Sequence, residues 1–179
     1  MKKVDLAKNV KLATFVNILS LVIAGVVFGI GYLIFPINLS LIDYEQPFRP
    51  LITTFIVFAL AIIYMILHEL THGIFFKKYS GAKVKYGFNG LYAFAKCDAY
   101  FNKREYLIIE LSPVVILGVL CLCLNIFLGQ TLFWYIYSVQ IINLSGAAGD
   151  LYVTWILRKM QDDTLISDAG VSMIIYEKK

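Results

Sequence analysis

Four long apolar stretches constrain the fold of this chain more than any other feature of its sequence. They cover residues 12–35, 51–76, 107–128 and 132–157, and 60% of the 179 residues are hydrophobic. About 20 consecutive apolar residues cross the hydrocarbon core of a bilayer as a helix. The sequence therefore predicts an all-α polytopic membrane protein, with residues 1–179 forming a single membrane-embedded domain of four transmembrane helices.

The basic residues are distributed unevenly around these stretches. They concentrate in the N-terminal segment, in the loop between the second and third stretches and in the tail 158–179, and they are rare in the other two loops. The positive-inside rule then predicts a multi-pass protein of the cell membrane with both termini in the cytoplasm. The net charge of +4 indicates attraction to anionic membrane lipid, and we expect no nucleic-acid partner.

The second stretch contains the only two histidines of the chain, in the string His68-Glu69-Leu-Thr-His72. Positions i and i+4 of a helix lie on one face, so both imidazoles can bind one Zn²⁺ ion. Glu69 would then lie where a carboxylate can take a proton from water at the metal. Polar groups at membrane depth are costly and usually mark a functional site. The pattern predicts a zinc metalloprotease-like site inside a membrane, with Glu69 as the catalytic residue.

A catalytic zinc needs a third protein ligand, and a carboxylate must supply it because no third histidine exists. Besides Glu69, only Glu110 and Asp150 lie within the apolar stretches. At 1.5 Å per residue, both acids lie roughly 9–12 Å from the basic residues near the helix ends, close to the depth of the histidines. Small residues before Asp150 allow close helix approach and local unwinding, which favours Asp150. Glu110, which precedes Pro113, is the alternative ligand or a hydrogen-bond partner of a ligand histidine.

Asn143 lies in the same stretch as Asp150, seven residues before it. A buried asparagine most often forms a hydrogen bond between membrane helices. The alternative is that its amide stabilises charge in a transition state. The sequence leaves both interpretations open, with the helix-to-helix hydrogen bond favoured.

A short β-hairpin is predicted in the cytoplasmic loop between the second and third helices. Apolar residues alternate over 84–88 and 92–94, and Asn89-Gly90 between them is typical of a two-residue hairpin turn. The open edge of this hairpin would either bind substrate as an added strand or cap the site against lipid. The tail segment 170–176 is also strand-like, and it is an alternative pairing partner for the hairpin.

The chain resembles a bacterial family of zincin-type membrane peptidases that are distantly similar to site-2 intramembrane metalloproteases. The resemblance lies in five segments: 68–73, 81–83, 111–113, 143–150 and 168–170. It implies His68, His72 and Asp150 as zinc ligands and Glu69 as the base. Site-2 proteases carry a proline-bearing Asn…Asp-Gly segment, whereas this chain has no proline between Asn143 and Asp150.

These observations predict a zinc-dependent intramembrane endopeptidase that hydrolyses membrane-protein or peptide substrates near the cytoplasmic face. Its environment is membrane lipid, and its cofactor is Zn²⁺. Two other classes of function remain open. A metal-binding transporter or sensor would move or detect zinc without hydrolysis, and a non-catalytic membrane scaffold would hold no stoichiometric zinc.

Overall fold

The computed structural model describes residues 2–5, 9–37, 48–88, 90, 93–170 and 172–176. Helices dominate these residues, and short strands lie before, between and after them. The helices are α1 (Val10–Ile34), α2 (Arg49–Ser80), α3 (Lys103–Leu128), α4 (Phe133–Gly146) and α5 (Ala148–Arg158), with a 3-10 turn at Gln130–Leu132. The strands are β1 (Lys2–Asp5), β2 (Val84–Phe88), β3 (Ala93–Cys97), β4 (Tyr100–Asn102), β5 (Leu165–Asp168) and β6 (Ser172–Tyr176).

Three helices, α1, α2 and α3, are long and apolar enough to cross a membrane among the residues that the structure describes. They correspond to the first three predicted spans, and each extends a few residues beyond the predicted bounds at one end or both. At 32 residues, α2 is the longest. It ends at Gly81, which adopts a φ of 67° and donates its N–H to the Lys77 carbonyl. Glycine adopts a positive φ without steric strain because it has no Cβ atom.

The predicted fourth helix over 132–157 is wrong as a single element. The chain forms α4, with 14 residues, and α5, with 11 residues, interrupted at Ala147. Each is shorter than the roughly 20 residues needed to cross the hydrocarbon core. The interruption lies inside the segment of small residues where the sequence indicates local unwinding. This break places Asp150 in the first turn of a new helix.

The all-α prediction is also incomplete, because the chain ends and the loops build a four-stranded antiparallel sheet. Its strand order is β1-β6-β5-β4. Phe101, Ile166 and Ile175 are neighbours across three of its strands, and all three are buried. They form the core with Phe76 and Leu157 from the ends of α2 and α5. The sheet therefore covers one end of the helices.

This sheet brings the start of α1, the start of α3 and the end of α5 to the same end of the molecule. β1 precedes α1, β4 leads directly into α3, and β5 follows α5. The helix ends that adjoin the three basic regions of the sequence thus lie at one end of the molecule. The assignment of that end to the cytoplasm stays a prediction.

The hairpin between α2 and α3 is present as β2 paired with β3. Phe88 pairs with Ala93, so four residues separate the strands and the predicted two-residue turn at Asn89-Gly90 is wrong. Asn89, Leu91 and Tyr92 lie outside the described residues. The alternative pairing of the tail with the hairpin is also wrong, because β6 pairs with β1 and β5.

The hairpin contacts α2 beside the histidine motif. Gly73 directly follows His72, and a Cβ atom at this position would overlap the Tyr86 side chain of β2. The absence of a side chain at Gly73 therefore lets the hairpin approach the helix. This contact holds β3 next to the face of α2 that carries the histidines.

Candidate metal centre

The two histidines lie on one buried face of α2, as their four-residue spacing predicts. Their side chains are 11% and 9% exposed, and the two Nε2 atoms are 3.2 Å apart. Phe76 continues this face one turn later and anchors it in the core. The helix thus presents two imidazole nitrogens to one point.

Asp150 joins the histidines from α5. Its Oδ2 atom is 3.2 Å from Nε2 of His68 and 3.7 Å from Nε2 of His72. The carboxylate lies in the first turn of α5, where the helix dipole stabilises a negative charge. Among the residues that the structure describes, His68, His72 and Asp150 are the group whose ligand atoms all lie within 4.8 Å of one another.

The outer nitrogen of each histidine is bound to an oxygen atom. Nδ1 of His72 lies 3.0 Å from the Ile109 carbonyl, which can only accept, so this nitrogen must carry the proton. Nδ1 of His68 lies 2.8 Å from the Tyr64 hydroxyl. That hydroxyl donates to Oδ1 of Asn143 at 3.1 Å and so accepts from His68. In its neutral form, each ring therefore directs the lone pair of Nε2 inward.

A proline makes the Ile109 carbonyl accessible to His72. Pro113 lies inside α3, four residues after Ile109, and it has no N–H to donate to that carbonyl. Ser112 Oγ also donates to it, at 2.8 Å. The backbone carbonyl thus has the orienting role that the sequence suggested for Glu110.

The remaining predicted residues lie around this group. Glu110 is buried and lines the same cavity, but it is outside the three-residue group, and the Tyr106 hydroxyl lies beside its carboxyl. Asn143 is fully buried, and its Nδ2 donates to the Val114 carbonyl at 3.1 Å. Asn143 therefore links α3, α4 and Tyr64, as expected for a hydrogen bond between helices.

The three ligand atoms fit a divalent cation. Two inward lone pairs and a carboxylate repel one another unless a positive charge lies between them. Oδ2 of Asp150 is buried and has no hydrogen-bond partner among the residues that the structure describes. In a tetrahedral zinc site with bonds of about 2.0–2.2 Å, ligand atoms are ~3.3 Å apart. The separations of 3.2, 3.2 and 3.7 Å are close to that value, and two imidazoles with one carboxylate are a zinc donor set.

Glu69 lies next to the metal group in a cavity of about 360 Å³. Its side chain is partly buried, and Ala95 of β3 lines the same cavity. The cavity is also lined by residues of α1, β3 and α5. Glu69 therefore lies beside the group formed by His68, His72 and Asp150 without belonging to it.

Three residues near the site have contacts that sequence reasoning did not identify: Tyr64, Tyr106 and Asp168. Tyr64 is one turn before His68, so the i, i+4, i+8 spacing of Tyr64, His68 and His72 was a usable signal. Tyr106 donates a hydrogen bond to Oδ2 of Asp168. Asp168 comes from the sheet, and its approach to α3 depends on non-local strand pairing that no local pattern reveals.

We expect Tyr64→Phe to weaken zinc binding about 10- to 100-fold, because Nδ1 of His68 loses its acceptor. Zinc affinity by competition with a chelator measures this change. Tyr135→Phe is the matched control. The Tyr135 hydroxyl lies 3.2 Å from the hydroxyl of Thr53, which belongs to α2 as Tyr64 does, and neither Tyr135 nor Thr53 lines the cavity. Equal affinity of Tyr64→Phe and wild type would contradict the orienting role.

Asp168 is expected to make stability depend on pH. Burial raises the pKa of its carboxyl to about 6, although the Gly170 N–H donates to Oδ1 at 2.5 Å. A raised folded-state pKa contributes stability that is present below pH 4 and is lost as pH rises through 6. From pH 4 to 7, Asp168→Asn should therefore gain roughly 2.4 kcal/mol in unfolding free energy relative to wild type.

Thermal unfolding of wild type and variant at matched pH values measures this difference, because titrations that both proteins share cancel. Asp162→Asn is the control: its side chain is 98% exposed, and exposed ion pairs contribute little. A constant difference between wild type and Asp168→Asn across this pH range would exclude the effect.

Comparison with known proteins identifies one family. A family model described as "Putative zincin peptidase" matches residues 60–165, which is more than half of the chain and includes both histidines and Asp150. No curated protein and no solved structure matches the chain. The chain therefore belongs to the family of proteins described as "Putative zincin peptidase".

Proposed function

We propose that the protein is a zinc-dependent endopeptidase that hydrolyses peptide bonds of membrane-associated substrates near the cytoplasmic face. The observation that carries this proposal is the convergence of His68, His72 and Asp150 on one point beside the carboxylate of Glu69. Membership of a zincin family supports the same chemistry. His68, His72 and Asp150 would hold the zinc ion.

Each residue of the site has a separate role in the proposed hydrolysis. When bound, zinc polarises the scissile carbonyl and lowers the pKa of water toward ~7. Glu69 takes the proton from the attacking water and later delivers it to the leaving amine. The Ile109 carbonyl and the Tyr64 hydroxyl keep the histidines in the tautomer that faces the ligand point.

We propose four membrane crossings, with α4 and α5 together forming the last one. α4 follows α3, and α5 returns the chain to the sheet, which supports this arrangement. His72 is eight residues from the end of α2, or roughly 12 Å along the helix. The site then lies at a shallow depth on the side that the lysines indicate as cytoplasmic.

We propose that an extended substrate binds along the edge of β3 that is not paired with any strand of the described residues. β2 pairs with one edge of β3, and Ala93, Phe94 and Ala95 line the cavity that contains Glu69. A segment added to this edge would be held through its backbone, next to the ligand point. Strand addition requires an unwound substrate, which suits cleavage close to a membrane surface.

Removal of the metal tests the proposed function. Purified protein in lipid vesicles is incubated with a panel of fluorogenic peptides, each anchored by an apolar helix. We expect cleavage that 1,10-phenanthroline abolishes and that added zinc restores. Cleavage that persists in metal-free protein would contradict the proposal. Zinc uptake into sealed vesicles without peptide cleavage would instead indicate a transporter.

A further inference from the structure

One face of α1 forms a wall of the cavity that contains the metal group. Ala13, Val16, Asn17 and Ser20 all line this cavity, and their spacing of i, i+3, i+4 and i+7 places them on one helical face. α1 packs mainly against α4 and α5. The cavity therefore lies between α1 and the helix that carries the histidines.

Asn17 has an unusual environment for a polar residue in an apolar helix. Its side chain is exposed, and it forms no hydrogen bond to any residue that the structure describes. Two other helical asparagines are bonded: Asn125 donates to the Cys121 carbonyl at 3.2 Å, and Asn143 bonds Tyr64 and Val114. Asn17 differs from Asn125, whose Oδ1 is buried without a partner among the described residues, because Asn17 lines the cavity of the metal group. An amide at membrane depth without a partner is costly, and a polar ligand in that cavity would supply the partner.

The depth of Asn17 matches that of the site. It is seven residues from the start of α1, roughly 10 Å along the helix, and His72 is roughly 12 Å from the end of α2 at the same end of the molecule. Ser20 lies one turn further along the same face, and none of the described residues forms a hydrogen bond with its hydroxyl. Two unsatisfied polar side chains thus face the cavity opposite the histidines.

We propose that Asn17 is a substrate-binding residue that hydrogen-bonds the backbone of a peptide lying between α1 and the histidine helix. An amide presents one acceptor and two donors, which match the C=O and N–H groups of an extended peptide. Such binding is independent of the peptide side chains. This inference rests on the proposed peptidase function. The family match begins at residue 60, so α1 supplies this contact from outside the matched segment.

Two metal-binding probes separate the peptide contact from the metal site. The zinc-loaded protein in lipid nanodiscs is titrated with acetohydroxamate, which has no peptide part, and with N-acetyl-Leu-Leu hydroxamate. In Asn17→Leu we expect about tenfold weaker binding of the peptide hydroxamate, the effect of one or two neutral hydrogen bonds. Acetohydroxamate should bind as in wild type. Leucine suits an exposed position of an apolar helix, so the variant is expected to fold.

Asn125→Leu is the matched control, because Asn125 is also an asparagine in a membrane helix but lies outside the cavity lining. It should bind both probes as wild type does. Unchanged binding of the peptide hydroxamate to Asn17→Leu, or equal loss of both probes, would overturn the inference. Failure of acetohydroxamate to bind the wild-type protein would instead overturn the proposed metal site. This outcome is measured on wild type alone.

Discussion

Glu69→Gln should abolish peptide hydrolysis and leave zinc binding intact. Glutamine has the size of glutamate but cannot accept the proton of the attacking water, and loss of a general base typically costs 10²- to 10⁴-fold in rate. Zinc should remain at one ion per chain, because Glu69 is outside the group formed by His68, His72 and Asp150. Cleavage rate and zinc content, measured on the same preparation, check both halves of this expectation.

Glu105→Gln is the control for this experiment. Glu105 belongs to the capping box at the start of α3 and does not line the cavity. It is expected to lose a little helix stability and no activity. Wild-type turnover in Glu69→Gln would exclude the proposed chemistry, and loss of zinc in that variant would show that Glu69 is itself a ligand.

Replacement of a zinc ligand should have a different result from Glu69→Gln, because zinc binding itself is lost. In His72→Ala or Asp150→Ala we expect zinc affinity to fall roughly 100-fold or more, beyond the effect of a residue that only orients a ligand. Zinc at 1,000 times its dissociation constant stabilises the wild type by about 4 kcal/mol. This zinc-dependent rise in unfolding temperature should disappear in both variants.

Glu110→Gln decides between the two carboxylates that the sequence left open. Glu110 is buried and lines the same cavity as Asp150, so Glu110→Gln removes the charge of a second carboxylate beside the histidines. We expect zinc content and the zinc-dependent stabilisation to remain in this variant. Loss of zinc from Glu110→Gln together with retention in Asp150→Ala would assign the third ligand to Glu110.

Local patterns were enough to predict the histidine face and three long helices. The spacing of His68 and His72 determines their common direction in any helix. Hydropathy identifies α1, α2 and α3 because each contains an apolar stretch of 18 residues. The alternation of apolar residues also predicted the hairpin. The pairing of Phe88 with Ala93 gives a longer turn than Asn89-Gly90 predicts.

Features that depend on distant parts of the chain escaped prediction. The four-stranded sheet pairs β1 with β6, from opposite ends of the chain, and β4 has only three residues. The break at Ala147 was indicated as local unwinding, but apolar composition continues through it and suggested one helix. The sequence shows Pro113 inside the third apolar stretch, where it has no N–H to donate. That it frees the Ile109 carbonyl for His72 depends on how α3 packs against α2.

The most direct test of the metal centre is zinc K-edge absorption of the purified wild-type protein. The geometry predicts one zinc ion with two imidazole nitrogens at about 2.0–2.1 Å, oxygen at about 2.0–2.2 Å and no sulfur. A sulfur scatterer at about 2.3 Å, or a spectrum with no imidazole contribution, would contradict coordination by His68, His72 and Asp150.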